Sequence, residues 1–137
     1  MPLFTKNAKV EALRAVPLFE HCSRSELGEI SSVADELELP AGRTLAKEGA
    51  RGKEFVVIVD GAAEVTRKGR KVNTLGSGDF LGEIALLTGK PRTATVTTTK
   101  PSRLLVLTAP AFRGLLQDMP SLSLKVLDAL ALRIRDY

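Results

Sequence analysis

Apolar residues change their spacing along this chain, and each change marks a different kind of structure. Ala8, Ala12, Leu13 and Val16 fall at helical spacing between residues 7 and 16, and Pro17 ends that helix. Leu18 and Phe19 follow as an apolar anchor. A second helix is expected from Ser23, because Ser23 and Glu26 have the spacing of a capping box, in which each side chain satisfies an orphan backbone donor. Leu27, Ile30, Val33 and Ala34 form its expected buried face. From about Glu36 to Leu107 the pattern becomes short runs divided by turns, which reads as all-β. Leu37 and Leu39 alternate with Glu36 and Glu38, and Thr44 to Ala46 forms a short strand. FVVIV at 55–59 predicts a strand buried on both faces, and Asp60-Gly61 signals a hairpin from which Ala63 to Arg67 returns. Lys68-Gly69-Arg70 turns the chain again into Lys71 to Leu75. Two more strands are expected over 94–99 and 103–108; the hydroxyl-rich run TATVTTT suits a strand with one wet face.

The final third returns to helical spacing. Pro110 suits a first helical position, Phe112, Leu115 and Leu116 share a face, and Asp118-Met119-Pro120 breaks the helix. A last helix runs from Ser121 nearly to Tyr137 with Leu122, Val126, Leu127, Leu130 and Ile134 in one stripe. Leu124 and Leu132 lie off that stripe, so the helix carries surplus apolar surface suited to a ligand or a second subunit. The expected class is mainly β with flanking helices: an eight-stranded jelly-roll β-barrel with N-terminal helices and two C-terminal helices. The expected organisation is a single domain over 1–137, with a helical N-terminus at 7–34, the barrel at 36–108 and C-terminal helices at 110–136.

Composition narrows the class without changing it. A length of 137 residues and 44% hydrophobic content allow one domain with a real core, and 26% charged residues fit a well-solvated surface. Aromatics make up only 4% and there is no Trp, so the core must rest mainly on Leu, Val, Ile and Ala. The net charge of +4 is modest, and the densest basic run, RKGRK at 67–71, marks a solvated hairpin tip. Cys22 is the single cysteine, which excludes an intrachain disulfide and a thiolate metal cluster and suits a reducing cytoplasm. With no apolar run long enough for a membrane span and no signal-peptide core in MPLFTKNAKVEALRAV, a cytoplasmic domain with no membrane contact is expected.

The chemistry concentrates at 80–96, FLGEIALLTGKPRTATV. Gly82, followed by the helix-compatible EIALL, suits a turn whose free N–H groups face an anion with a favourable helix dipole. Arg92 offers a planar, permanently charged fork to the same oxygens, Pro91 pre-sets the backbone before it, and Thr93 adds a hydroxyl. A carboxylate beside a phosphate is repelled by it, so Glu83 should turn toward a donor such as a ribose 2′-hydroxyl, and Arg92 should keep it ionised. Ile84, Leu86 and Leu87 would dock this short helix on the barrel.

This segment resembles the phosphate-binding cassette of the cyclic nucleotide-binding domain family, found in cyclic-nucleotide-dependent kinases, gated channels and catabolite-activator-type regulators. Gly42, Gly49, Gly52, Gly61 and the Gly78-Asp79-Phe80 approach also sit where the family's glycines and turns are expected, and PAFRGLLQDMPSLSLKVLDALALRIRD is similar to its two C-terminal helices. The resemblance covers roughly residues 15 to 135, with the cassette at 80–93. It implies that Gly82, Ile84 and Ala85 give backbone contacts to the ligand, that Glu83 takes the ribose hydroxyl, and that Arg92 and Thr93 hold the phosphate. It implies a sensor with no cofactor, whose ligand is cyclic AMP in preference to cyclic GMP, and whose C-terminal helices shift on binding. The last helix would then serve an effector protein or a homodimer. Departures from the pattern are Ala50 and Lys53, which stand where acidic residues are frequent, and the lack of an aromatic base cap unless Tyr137 serves.

Other readings are weaker. A cupin-type enzyme needs a cluster of metal ligands, yet His21 is the only histidine, and no Ser-His or Cys-His pair neighbours the cassette. A DNA-reading helix-turn-helix would have to follow Tyr137, so no direct nucleic-acid contact is expected of this chain; a larger regulator, channel or kinase remains an alternative setting for it. A module that keeps the fold but no longer binds nucleotide is disfavoured by the presence of both Glu83 and Arg92.

Overall fold

The computed structural model describes residues 6–16, 19, 21–82 and 90–136. Helix α1 (Lys6–Arg14) packs on α2 (Arg24–Val33). Ser23 is the N-cap of α2, and the reciprocal bonds expected from its spacing to Glu26 are both made: Ser23 N–H donates to Glu26 Oε1 at 2.7 Å and Glu26 N–H to Ser23 Oγ at 3.1 Å. At the other end, Lys9 Nζ of α1 donates to the Ser31 and Ala34 carbonyls at 2.9 and 2.7 Å, placing a cation where the helix dipole is negative. Leu27, Ile30, Ser31 and Ala34 are buried, whereas Val33 is exposed, contrary to expectation. Six positions beyond Leu27, Val33 lies roughly 240° round the helix, off the face those residues define.

Eight strands follow among the described residues: β1 (Asp35–Leu39), β2 (Thr44–Ala46), β3 (Glu54–Asp60), β4 (Ala62–Arg67), β5 (Arg70–Gly76), β6 (Phe80–Leu81), β7 (Thr95–Thr98) and β8 (Ser102–Thr108). They form two antiparallel four-stranded sheets, ordered β1-β8-β3-β6 and β2-β7-β4-β5, in the expected mainly β, jelly-roll class. The continuous apolar runs of β3 and β8 follow from their central place. Phe55, Val57, Leu105 and Leu107 face the helices with Leu13, Phe19, Leu27, Ile30 and Phe112. Their neighbours Val56, Ile58, Leu104 and Val106 face Ala46, Ala63, Leu75 and Val96 of the second sheet. A strand covered on both sides needs apolar residues at every position. β1 lies at an edge, which leaves Leu37 exposed. On β7, Val96 and Thr98 are buried while Thr95 and Thr97 are half-buried, and Thr98 Oγ1 donates to the Pro40 carbonyl at 2.8 Å.

Asp60-Gly61 is not a hairpin turn. β3 belongs to one sheet and β4 to the other, and the two residues carry the chain between them. Gly61 has φ 136°, and a Cβ there would collide with the Ser102 side chain, whose Oγ accepts the Ala62 N–H at 3.3 Å. The turn signal comes from this close crossing of backbone and β8, not from strand pairing. The true two-residue hairpin joins β4 to β5, where Lys68 (φ 52°) and Gly69 (φ 78°) both take positive φ, the twist-matched geometry for such a loop. Arg67, Lys68, Gly69, Arg70 and Lys71 are exposed there, as expected of RKGRK.

Helix α3 (Ala109–Asp118) starts on an N-cap bond from Ala111 N–H to Thr108 Oγ1 at 3.3 Å, with Pro110 in its first turn. Phe112 and Leu115 are buried, and the Phe112 ring stacks on Phe55 with centroids 4.6 Å apart. Buried Met119 closes α3, and α4 (Pro120–Asp136) follows. Leu122 is fully buried, but Leu127 is 59% exposed and Leu124 64%, so the stripe expected on α4 does not include Leu127. The side chains of Val126, Leu130, Leu132 and Ile134 lie outside the described ones. Ser121 Oγ donates to Glu26 Oε2 at 2.7 Å and Lys125 Nζ to Cys22 Sγ at 3.7 Å, tying α4 to the N-terminal helices. Among the described residues no helix is long and apolar enough to cross a membrane.

Candidate functional site

Three backbone segments meet where the sequence places its anion chemistry: the loop at 48–54, the end of β6, and the stretch 90–95 leading into β7. Phe80 and Leu81 pair with Val57 and Val56, which brings Gly82 alongside the start of β3. Gly82 has φ 102°, and a Cβ on it would strike the Glu54 carbonyl oxygen and come within 2.7 Å of Arg92 Nη1. Glycine is therefore required twice over, by the backbone angle and by the space that the Glu54 carbonyl occupies. Arg92 Nη2–H donates to the same Glu54 carbonyl at 2.8 Å. This bond fixes the direction in which the guanidinium points.

The main chain of Arg92 is as firmly placed as its fork. Its N–H donates to the Ala50 carbonyl at 2.7 Å, its carbonyl accepts from Gly49 N–H at 2.8 Å, and Pro91 bridges to Arg51. The loop from Gly49 to Glu54 thus holds the residue at both ends. Thr93 is exposed, and its carbonyl accepts the Arg67 Nε–H at 3.2 Å. Thr95 Oγ1 accepts Glu48 N–H at 3.0 Å, and Glu48 Oε1 in turn accepts Lys68 N–H at 2.9 Å.

Of the residues expected at the site, Gly82 and Arg92 are brought into contact and Thr93 follows them in an exposed position. Glu83, Ile84 and Ala85 lie outside the described residues, as do Leu86, Leu87 and Tyr137. A planar cationic fork beside a closely approaching backbone is able to donate hydrogen bonds to a singly charged oxyanion such as a phosphodiester. Sequence reasoning missed the Glu54 carbonyl, the loop carbonyl of Ala50, and Arg67. A main-chain carbonyl carries no residue signature, and Arg67 was legible only as part of a charged hairpin tip. One further main-chain link leaves this loop: Ala109 N–H, the first residue of α3, donates to the Lys53 carbonyl at 3.0 Å, next to the carbonyl that seats Arg92. Among the described residues no group of three His, Cys, Asp or Glu is placed to hold a metal ion.

The chain is similar to known proteins in sequence and in fold. The family model of the cyclic nucleotide-binding domain matches residues 36–119. A cAMP-dependent protein kinase regulatory subunit from Mycosarcoma maydis is 43% identical over 103 residues, covering 70% of this chain and 20% of that protein. A cyclic nucleotide-gated potassium channel from Rhizobium etli is 35% identical over 120 residues, covering 88% of this chain and 33% of the channel. The chain thus spans a fifth to a third of the length of these relatives. In three dimensions, the regulatory domain of Toxoplasma gondii PKA, solved with cAMP, superposes with a TM-score of 0.83 at 22% identity over 96% of this chain and 50% of that one. At that identity the likeness speaks for the fold.

Proposed function

Since the chain belongs to the cyclic nucleotide-binding domain family, we propose that it is a sensor module that binds cyclic AMP in preference to cyclic GMP and answers by repositioning its C-terminal helices. The observation that carries this reading is the meeting of Gly82 and Arg92 over the Glu54 carbonyl, which leaves a cationic fork and close-approaching backbone side by side. In this reading Gly82, Ile84 and Ala85 offer main-chain contacts, Arg92 and Thr93 hold the cyclic phosphate, and Glu83 takes the ribose hydroxyl. The preference for cyclic AMP is supported by the kinase regulatory subunit at 43% identity, which is named for that nucleotide. The module reads its ligand and does not transform it. Its action is a population shift, in which the ligand favours the arrangement that engages it.

The route to the helices is short. The carbonyl that seats Arg92 and the carbonyl that caps the first N–H of α3 belong to consecutive residues, Glu54 and Lys53. Any movement of the arginine as it takes up a phosphate is therefore felt one peptide away from the start of α3. Farther along, α4 carries Leu124 and Leu127 on its exposed side, suited to an effector or a second copy of the chain. The relatives place such modules in kinase regulatory subunits and channels, so a cytoplasmic setting inside a larger assembly is the corresponding reading here.

Calorimetric titration tests the proposal. Cyclic AMP should bind the native chain more tightly than cyclic GMP. Arg92→Leu should weaken cyclic AMP by roughly 10- to 100-fold, the scale of a lost charge-assisted hydrogen bond. If neither nucleotide gives heat at millimolar concentration while the chain remains folded, the sensor reading is wrong.

A further inference from the structure

We infer that Arg67, on the β4–β5 hairpin, is a positioning residue of the phosphate site, acting through the main chain of Thr93. The inference rests on the function proposed above and adds a wall to the site from a part of the fold with no place in the cassette. Its basis is a closed set of contacts. The stretch 92–95 is held from one side by the 48–50 turn, through Ala50 and Gly49 to Arg92 and through Glu48 N–H to Thr95 Oγ1. From the other side the hairpin reaches it twice, through the pairing of Thr66 with Thr95 and through Arg67 Nε–H, which donates to the Thr93 carbonyl at 3.2 Å. The hairpin tip is itself fixed to the same turn, because Glu48 Oε1 accepts the N–H of Lys68 at 2.9 Å. Glu48 therefore joins both sides, and Arg67 completes the bracket around the residues assigned to the phosphate.

The geometry is specific about which atom matters. The donor is Nε, the fourth atom out from Cα along the side chain, and not the terminal fork. In glutamine the amide nitrogen occupies that same position, without the charge. In lysine a methylene stands there, and the charge lies one atom beyond. A positioning role and a general electrostatic role therefore predict opposite orders for two substitutions.

The experiment is a cyclic AMP titration of the full chain with Arg67→Ala, Arg67→Gln and Arg67→Lys, each with the melting temperature of the ligand-free protein measured alongside. Arg67→Ala should weaken cyclic AMP by about three- to tenfold, the scale of one hydrogen bond, with little change in melting because the side chain is exposed. Arg67→Gln should recover most of the native affinity and Arg67→Lys should resemble the alanine variant. If lysine keeps native affinity while glutamine behaves as alanine, charge alone matters and the positioning role is overturned. Equal affinity in all four proteins overturns it as well. Native protein that ignores the nucleotide overturns the sensor reading itself and this inference with it, an outcome distinct from tight binding that is indifferent to position 67.

Discussion

At residue 82 two demands coincide that elsewhere fall on different residues. The φ of 102° disfavours any side chain, and the space where a Cβ would stand is already bounded by the Glu54 carbonyl and Arg92. Gly82→Ala must therefore strain the backbone or push the guanidinium off its seat. A residue forced into this region costs about 1–3 kcal/mol, and the neighbour on one side is main chain that cannot rotate away. Denaturant unfolding should show a loss of that size, and cyclic AMP affinity should fall further than stability alone explains; unchanged unfolding and unchanged binding would count against the crowded geometry. Gly82 and Arg92 stand together as expected of the residue types that the proposed anion site with close backbone approach would need. Glu54 was not legible in the sequence, since its contribution is a carbonyl that any residue at that position would supply.

Among the elements, α2 shows how local rules and tertiary demands divide the work. Its start is written in the sequence, Ser23 and Glu26 forming both bonds of a capping box. Its end is closed from outside by Lys9 of α1, a contact with a separation of 25 residues that no local pattern announces. Ser23→Ala removes the hydroxyl that accepts Glu26 N–H and should lower stability by about 1 kcal/mol in denaturant unfolding, while a loss near zero would mean that solvent satisfies the end of the helix equally well. The strands carry the same lesson. The two-sided burial of β3 follows from its apolar run, whereas β6 (Phe80–Leu81) is not among the expected strands. Asp60-Gly61 turns the chain without forming the expected hairpin, because a turn signal reports chain direction and says nothing about which strand becomes the neighbour. In a two-sheet fold, a tight turn joins partners within a sheet or crosses between sheets with similar residues. Here Ser102 on β8, packed against Gly61, decides the matter.

The molecule as a whole consists of a two-sheet body and a helical layer over one sheet, held by shared apolar packing and, at its rim, by two polar features: the capping box of α2 and the bond from Ser121 of α4. Glu26 stands in both. Its carboxyl is held below the usual carboxylate range first by the Ser23 N–H and then by the Ser121 hydroxyl. A depressed folded pKa confers stability that is present above the unfolded value, near 4.5, and lost as pH falls through the folded one. Cys22 has the opposite sign. Burial, opposed in part by Lys125, pushes its thiol above 9.0, so the stability it confers is present below that value and lost as pH rises through the folded one. The helical layer should therefore loosen at both extremes, through groups a few residues apart. Unfolding measured from pH 7 down to 3 should show the native chain losing its advantage over Glu26→Gln as the carboxylate is protonated, by a small amount because the group is partly exposed. Measured from pH 8 to 11, Cys22→Ala should flatten the alkaline decline. A gap between native and variant that stays constant across either range would remove these two groups as the source, and would leave the attachment of α4 to apolar packing around Leu122 and Met119.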